Sequence, residues 1–406
     1  MSSKIKTNST IENSKPALVP KLRFPEFREA AGWRYIPLNH LALRAKQKNR
    51  DKKIDRVLTN SAEFGVVDQR DFFDKDIATQ GKLEGYFVVE LGSYVYNPRI
   101  SSTAPVGPIS KNKIGTGVMS PLYTVFKFKD ERNDFYEYFF KTTGWHTYMR
   151  HASSTGARHD RMAISSDDFL AMPLPASSSD EQQKIADCLN SLDELIATQC
   201  RKVNTLKSHK KGLMHQLFPR EGEIQSSLRF PDFRESWVEI KLDSLSISIS
   251  SGRDKLDPEG DIDLYGSTSV IGKTRTPSFS GERILIARVG ANAGLLTKAK
   301  GTFGVTDNTI VVSLKPSINI DFVFYYLEST NINRLIFGSG QPLITGSILK
   351  NLPIMVPSDL EQRKISACLS SLDDLIANQS LKLEAMKAHK LGLMQQLFPL
   401  LAEIDA

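Results

Sequence analysis

Cysteine is scarce here, and so are several other markers on which functional assignments often rest. The 406 residues hold three cysteines, Cys188, Cys200 and Cys368. None is part of a C-x-x-C pair, which argues against a disulfide-stapled secreted scaffold or a zinc ribbon. The seven histidines show no metal-ligand spacing, so no metal site is expected. No apolar run reaches the roughly 18 residues a membrane span requires, and the N-terminal stretch lacks the apolar core of a signal peptide. Residues 1–21 are expected to form a disordered polar tail on a cytoplasmic protein with no membrane contact. Catalytic motifs are missing too. Between Gly266 and Gly272-Lys273-Thr274 there are five residues where a P-loop has four, which would misdirect its backbone N–H nest. Asp232 with Glu239 and Lys241 is too tightly spaced for a nuclease metal triad. Asn97-Pro98 opens like an adenine methyltransferase motif, but Arg99 follows and no glycine-rich cofactor loop precedes it. The expectation is no catalytic residue and no bound cofactor.

What the chain has instead is repetition. Glu181 to Pro219 returns at Glu361 to Pro399 with about 24 of 39 positions identical and no gap. A shorter repeat precedes each copy, LRFPEFR at Leu22 to Arg28 and LRFPDFR at Leu228 to Arg234, with Trp33 and Trp237 following. The stretches between these markers show little similarity. One scaffold therefore presents two different surfaces. Lysine plus arginine number 53 against 46 acidic residues, and the pI of about 9.1 tilts the partner toward a polyanion.

Within the long repeat, Ile185, Leu192, Gln199, Leu206 and Leu213 form one column at sevenfold spacing, and Leu189, Ile196, Val203, Lys210 and Leu217 form another. The second copy gives Ile365, Leu372, Gln379, Met386 and Leu393, with Leu369, Ile376, Leu383, Lys390 and Leu397. This is the a/d seam of a coiled coil, and its polar interruptions recur in register. Ser178 to Glu181 and Ser358 to Glu361 fit capping boxes, the upstream Pro173 and Pro353 should keep a preceding strand or loop out of the helix, and Pro219 and Pro399 should end it. Each helix would be on the order of 55 Å long. Pairing the two helices buries both seams; an antiparallel pair would place the attached domains at opposite ends, a parallel pair side by side. Cys188 with Leu195, and Cys368 with Leu375, widen the apolar stripe enough for a further packing partner.

Both variable segments read as mixed α/β. The first has strand-like Tyr86 to Glu90, Tyr94 to Tyr96 and Leu122 to Phe128, with helical Phe135 to Thr142. The second has Arg283 to Val289 and Thr309 to Leu314, with helical Asp321 to Glu328. Polar loops carry the side chains suited to nucleic acid: forked arginine donors for guanine, amides for adenine, hydroxyls for phosphate. The candidate DNA-binding residues are Arg99, Ser153, Ser154, Arg158, His159 and Arg161 in the first segment. In the second they are Arg253, Ser267, Thr268, Lys273, Arg275, Arg288, Asn292 and Gln341.

This plan resembles the specificity subunit of type I restriction-modification enzymes. The resemblance rests on the EQ-x-K-I openings at Glu181 and Glu361, the S-L-D-[DE]-L-I cores at Ser191 and Ser371, and the G-L-M-x-Q-L-F-P closures at Gly212 and Gly392. The LRFP segments and Gly340-Gln-Pro-Leu-Ile-Thr345 add to it. It implies an α+β chain: two target recognition domains (22–180 and 228–360), a central helix (181–219), a linker (220–227), a distal helix (361–399) and a C-terminal tail (400–406). It also implies that each recognition domain reads one half of a bipartite site in double-stranded DNA, and that the helices set the spacer. Two methyltransferase subunits and two restriction/motor subunits would be partners, and these, rather than this chain, would hold S-adenosylmethionine, ATP and Mg2+. The alternative is a non-catalytic coiled-coil scaffold or another sequence-specific DNA-binding adaptor.

Overall fold

The computed structural model describes residues 18–72, 83–153, 160–335 and 343–399. The chain divides into two compact units. One comprises the described residues within 1–197 and 384–406, the other residues within 198–383. The division falls inside both long helices, so each unit is one globular lobe with a segment of each helix.

In the first unit a four-stranded antiparallel sheet has the order Ala42–Arg44, Thr124–Phe128, Tyr94–Tyr96, Ile109–Lys111. Its Tyr94, Tyr96 and Phe126 face the helix Asp134–Phe140 and the short helix Ser166–Leu170, forming an aromatic core with Trp33, Phe135, Phe139 and Phe169. Burying such rings supplies roughly 1.5–3 kcal/mol each. A strand pair, Arg34–Pro37 with Pro173–Ala176, closes the lobe at its root. The second unit repeats this frame. Its sheet runs Ser246–Ser251, Thr309–Leu314, Arg283–Ala287, Leu296–Ala299. It packs against the helix Ile320–Thr330 and is closed by Val238–Lys241 with Pro353–Val356. Even a parallel contact recurs, as the bridge Val57 with Val118 in one lobe and the strands Ile262–Tyr265 with Thr302–Val305 in the other. The lobes thus share a topology that their side chains conceal.

The helices span Ser179–Leu217 and Asp359–Leu397. Within each unit their segments run antiparallel. In the first, Ile185 and Leu189 share a core with Met394, Leu397 and Phe398; in the second, Gln199 donates from Nε2 to the carbonyl oxygen of Gln379 at 2.8 Å, and Leu217 and Phe218 join Ile365 and Leu369. Leu189, Gln199, Val203, Leu369 and Leu383 are buried, while Leu192, Ile196, Leu206, Leu372, Ile376, Gln379 and Met386 are half-buried. Leu195 and Leu375 stay exposed.

Two local expectations need correction. Pro173 and Pro353 do not hold a strand back; each is the first residue of one, where the lack of an N–H is tolerated at a strand's first position. The capping boxes form only by half. Glu181 and Glu361 donate their N–H groups to Ser178 and Ser358 Oγ at 3.3 and 3.4 Å, but their carboxylates turn to arginines: Arg23 holds Glu181 at 2.7 and 2.8 Å, and Arg229 holds Glu361 at 2.8 and 2.7 Å. A bidentate charged donor outcompetes a single backbone N–H.

Candidate nucleic-acid interface

The polar candidates gather where strands end. In the first lobe, Tyr94–Tyr96 runs out into Asn97-Pro98-Arg99, beside the start of Thr124–Phe128 and the hairpin strand Leu58–Ser61. Arg99 and Arg161 form an antiparallel bridge, although 62 residues separate them in sequence. It is flanked by Met162 N–H donating to the Pro98 carbonyl at 2.9 Å and Ile100 N–H donating to that of Asp160 at 3.0 Å. Together with Asn60, Ser61, Asn97 and Tyr123 they line a cleft of about 290 Å³. The Asn97 amide donates to the Asn60 carbonyl at 2.9 Å and its oxygen accepts from Arg99 N–H at 3.0 Å, so the strand end is braced. Arg99 is exposed, and Arg161 Nε lies 3.7 Å from Asp160.

The second lobe builds the same corner from other residues. Ile344 N–H donates to the Arg288 carbonyl at 2.9 Å and Val289 bridges Leu343, matching the Met162-to-Pro98 and Arg99–Arg161 contacts. Arg288 Nη1 approaches Ser251 Oγ at 3.4 Å and the Asp307 carbonyl at 3.5 Å; Ser267 Oγ donates to the Asn308 carbonyl at 3.4 Å. Arg253, Thr268 and Asn292 are exposed nearby in sequence to these strand ends. Gly252 makes the approach possible, since a Cβ there would meet the Val305 carbonyl oxygen at 2.1 Å. Asn60 Oδ1, Thr306 Oγ1 and Thr309 Oγ1 are buried without a hydrogen-bond partner among the described residues, leaving polar capacity for water or ligand.

Not every candidate joins these corners. Lys273 pairs with Asp263 at 2.8 Å inside its own hairpin, and Arg275 is held by Asp257 at 2.5 Å and Glu259 at 3.0 Å. Ser153 donates to the Arg150 carbonyl at 3.3 Å at the end of a helix. Ser154, Arg158, His159 and Gln341 lie outside the described residues. Sequence reading passed over Asn60, Tyr123 and Asn308. The available signal was their position at the ends of apolar strand runs.

Where lobe meets helix, charge is organised tightly. Lys390 lies 2.5 Å from Asp193, whose other oxygen is 2.8 Å from the Tyr138 hydroxyl; Lys210 lies 2.8 Å from Asp373, whose other oxygen is 2.7 Å from the Tyr325 hydroxyl. Burial alone would raise the Asp193 carboxyl, but hydrogen bonds from Lys390 and Tyr138 hold it below the usual range. Desolvation pushes the Lys390 ammonium down, and desolvation with the neighbouring carboxylate pushes Tyr138 and Tyr325 far up. Among the described residues no group of His, Cys, Asp and Glu could hold a metal ion, and no helix is long and apolar enough to cross a membrane.

Comparison with known proteins gives both sequence relatives and shared folds. Residues 235–386 match the family model described as the type I restriction modification DNA specificity domain. The EcoprrI specificity subunit of Escherichia coli is 37% identical over 111 residues, 27% of this chain and 28% of that protein. The MjaVIII specificity subunit of Methanocaldococcus jannaschii is 24% identical over 271 residues, 56% of this chain and 62% of that one. The aligned stretches therefore span less than two thirds of either relative. The solved type I restriction-modification S subunit of M. genitalium shares the fold, with a TM-score of 0.58 at 15% identity over 94% of this chain and 99% of that one. So does a chain from a study of type I R-M complex assembly, at 0.57 and 15% over 90% and 96%. The matched residues comprise most of the second lobe and the first part of the distal helix. By sequence the chain is similar to type I restriction-modification specificity subunits over part of its length.

Proposed function

We propose that this chain is the non-catalytic subunit that gives a type I restriction-modification complex its DNA sequence specificity, each lobe reading one half of an asymmetric bipartite site. The observation that carries this reading is the pair of equivalent strand-end corners: one frame, with Asn97, Arg99 and Arg161 on one copy and Arg288, Ser251 and Ser267 on the other. Equivalent frames dock alike on a duplex, and different side chains select different bases. The helices set the separation of the lobes and dock two methyltransferase subunits; two restriction/motor subunits complete the complex. S-adenosylmethionine, ATP and Mg2+ act in those partners.

The test is binding over a randomised bipartite duplex library, with the chain alone and with its methyltransferase subunits. The expected result is weak binding alone and tight, salt-sensitive, sequence-specific binding in the assembly, since phosphate contacts from all subunits set the salt slope. Tight specific binding by the chain alone, unchanged by the partners, would overturn the assembly reading.

A further inference from the structure

The lysines that interrupt the two helix seams are tied to more than the opposite helix. Resting on the reading above that the lobes read half-sites, we propose that Asp193 and Asp373 are positioning residues, each a junction that fixes helix register and the seat of one lobe at once. At Asp373 the carboxylate of the distal helix takes the Lys210 ammonium of the central helix at 2.8 Å and the phenol of Tyr325, from the lobe, at 2.7 Å; Glu328 adds a second carboxylate to Lys210 at 3.1 Å. At Asp193 the roles of the helices are exchanged: the central helix supplies the carboxylate, the distal helix Lys390, and the other lobe Tyr138. Each ammonium also lies 4.9 Å from the centre of its tyrosine ring.

The tyrosines come from a pattern the lobes share, Asp134-Phe-x-x-Tyr138 and Asp321-Phe-x-x-Tyr325. The first residue of each pattern pairs with a lysine of the central sheet, Lys111 with Asp134 at 2.6 Å and Lys298 with Asp321 at 2.5 Å. A polar chain therefore runs from the helix seam through one lobe helix to the sheet whose ends form the candidate interface. A slip of one helical turn would move lysine from aspartate by about 5.4 Å, stranding the ammonium of a side chain that is only 11% exposed at Lys210 and 13% at Lys390. An unpaired buried charge is a strong penalty on a wrong register. A carboxylate bonded only across the seam would fix register alone; the tyrosine extends the constraint to the lobe.

Two measurements on the full-length chain test this. With the three native cysteines changed to serine, a short bis-maleimide reports register: Gln199→Cys with Gln379→Cys links the native register, and Gln199→Cys with Leu372→Cys a slip of one heptad. Asp373→Asn should raise the slipped product relative to the native one by about tenfold, and exchanging the charges (Asp373→Lys with Lys210→Asp) should reverse this. In the assembly with methyltransferase subunits, duplexes with fixed half-sites and spacers one base pair shorter or longer report lobe seating. Asp193→Asn and Asp373→Asn should cut spacer discrimination about tenfold and leave base preference unchanged. Tyr138→Phe and Tyr325→Phe, which keep the rings and are tolerated even where the aspartate variants do not fold, should loosen the spacer about threefold while the register product stays native. Wild-type register and spacer discrimination in all variants, with only the melting temperature lowered, would overturn the proposal. Absence of bipartite binding by the wild type would sink the functional reading, while the cross-linking arm would still decide the register half of this one.

Discussion

Replacing Arg23 by alanine should weaken the first unit more than any surface substitution. Arg23 makes four hydrogen bonds: Nε and Nη2 to the Glu181 carboxylate at 2.7 and 2.8 Å, and Nη1 and Nη2 to the carbonyls of Ala30 and Ala31 at 2.9 Å each. Ala30 and Ala31 are exposed, so water replaces the arginine there at little cost. Glu181 is different. Its side chain is 1% exposed, and without Arg23 it is a buried carboxylate with no counter-charge. Breaking a buried pair from one side costs about 3–5 kcal/mol; the exposed neighbours keep this pair close to solvent, which places it at the lower end, about 3 kcal/mol. For a unit of this size that lowers the melting temperature by roughly 6–12 °C. The assay is thermal and urea unfolding of the wild type, Arg23→Ala and Arg23→Met with Glu181→Met. The double variant should recover most of the loss, because no charge is left stranded. A loss below about 1 kcal/mol for Arg23→Ala, or an additive double variant, would refute the reasoning.

Stability should also fall in acid: the Asp134 and Asp193 carboxyls are held low in the folded state, Asp134 by Lys111 against its burial. Their contribution is therefore present above the unfolded pKa of about 3.9 and lost as pH drops through the folded values; urea midpoints between pH 2 and 7 should show a shallower acid limb in Asp193→Asn. Above about pH 10 the desolvated tyrosines, the half-buried Tyr35 pushed up to about 12 among them, stay protonated when folded but ionise when unfolded, so stability should fall again; an alkaline limb that Tyr35→Phe leaves unchanged would contradict this. Deleting one heptad from each helix, residues 198–204 and 378–384, keeps both lysine–aspartate junctions and shortens the pair by about 10 Å, or roughly three base pairs; methylation mapping should find a spacer shorter by that amount, and an unchanged spacer would end the ruler idea. Replacing residues 242–352 by the matching segment of a related subunit, which leaves Arg229 and Glu361 in place, should change one half-site only. Arg99→Ala or Arg161→Ala should relax discrimination at single bases by about 1–3 kcal/mol if those side chains reach base edges, whereas a phosphate contact would weaken all sequences alike and lower the salt slope by about one.

Much of the candidate site was legible as residue type but not as place. Arg99 and Arg161 stand 62 positions apart in sequence, and only strand pairing makes them neighbours. Lys273 and Arg275 look as suitable for phosphate as any lysine or arginine, yet folding gives Lys273 a carboxylate partner in its own hairpin and Arg275 two in the turn before it. The Asp-Phe-x-x-Tyr pattern of the lobes is too short to stand out until the helices bring both tyrosines onto equivalent aspartates.

The helices were determined by sequence alone, because a sevenfold apolar period with register-matched Gln199, Gln379, Lys210 and Lys390 is a local property that any pairing must satisfy. The kinship of the lobes was decided only in three dimensions. A sheet order such as Ser246–Ser251, Thr309–Leu314, Arg283–Ala287, Leu296–Ala299 depends on contacts between distant strands, for which many apolar side chains serve equally well. Direction of the helix pair was settled there too. The seam repeats in both copies and fits either orientation, and antiparallel packing follows from the particular partners that Asp193 and Asp373 find: a lysine from the other helix and a tyrosine from the lobe.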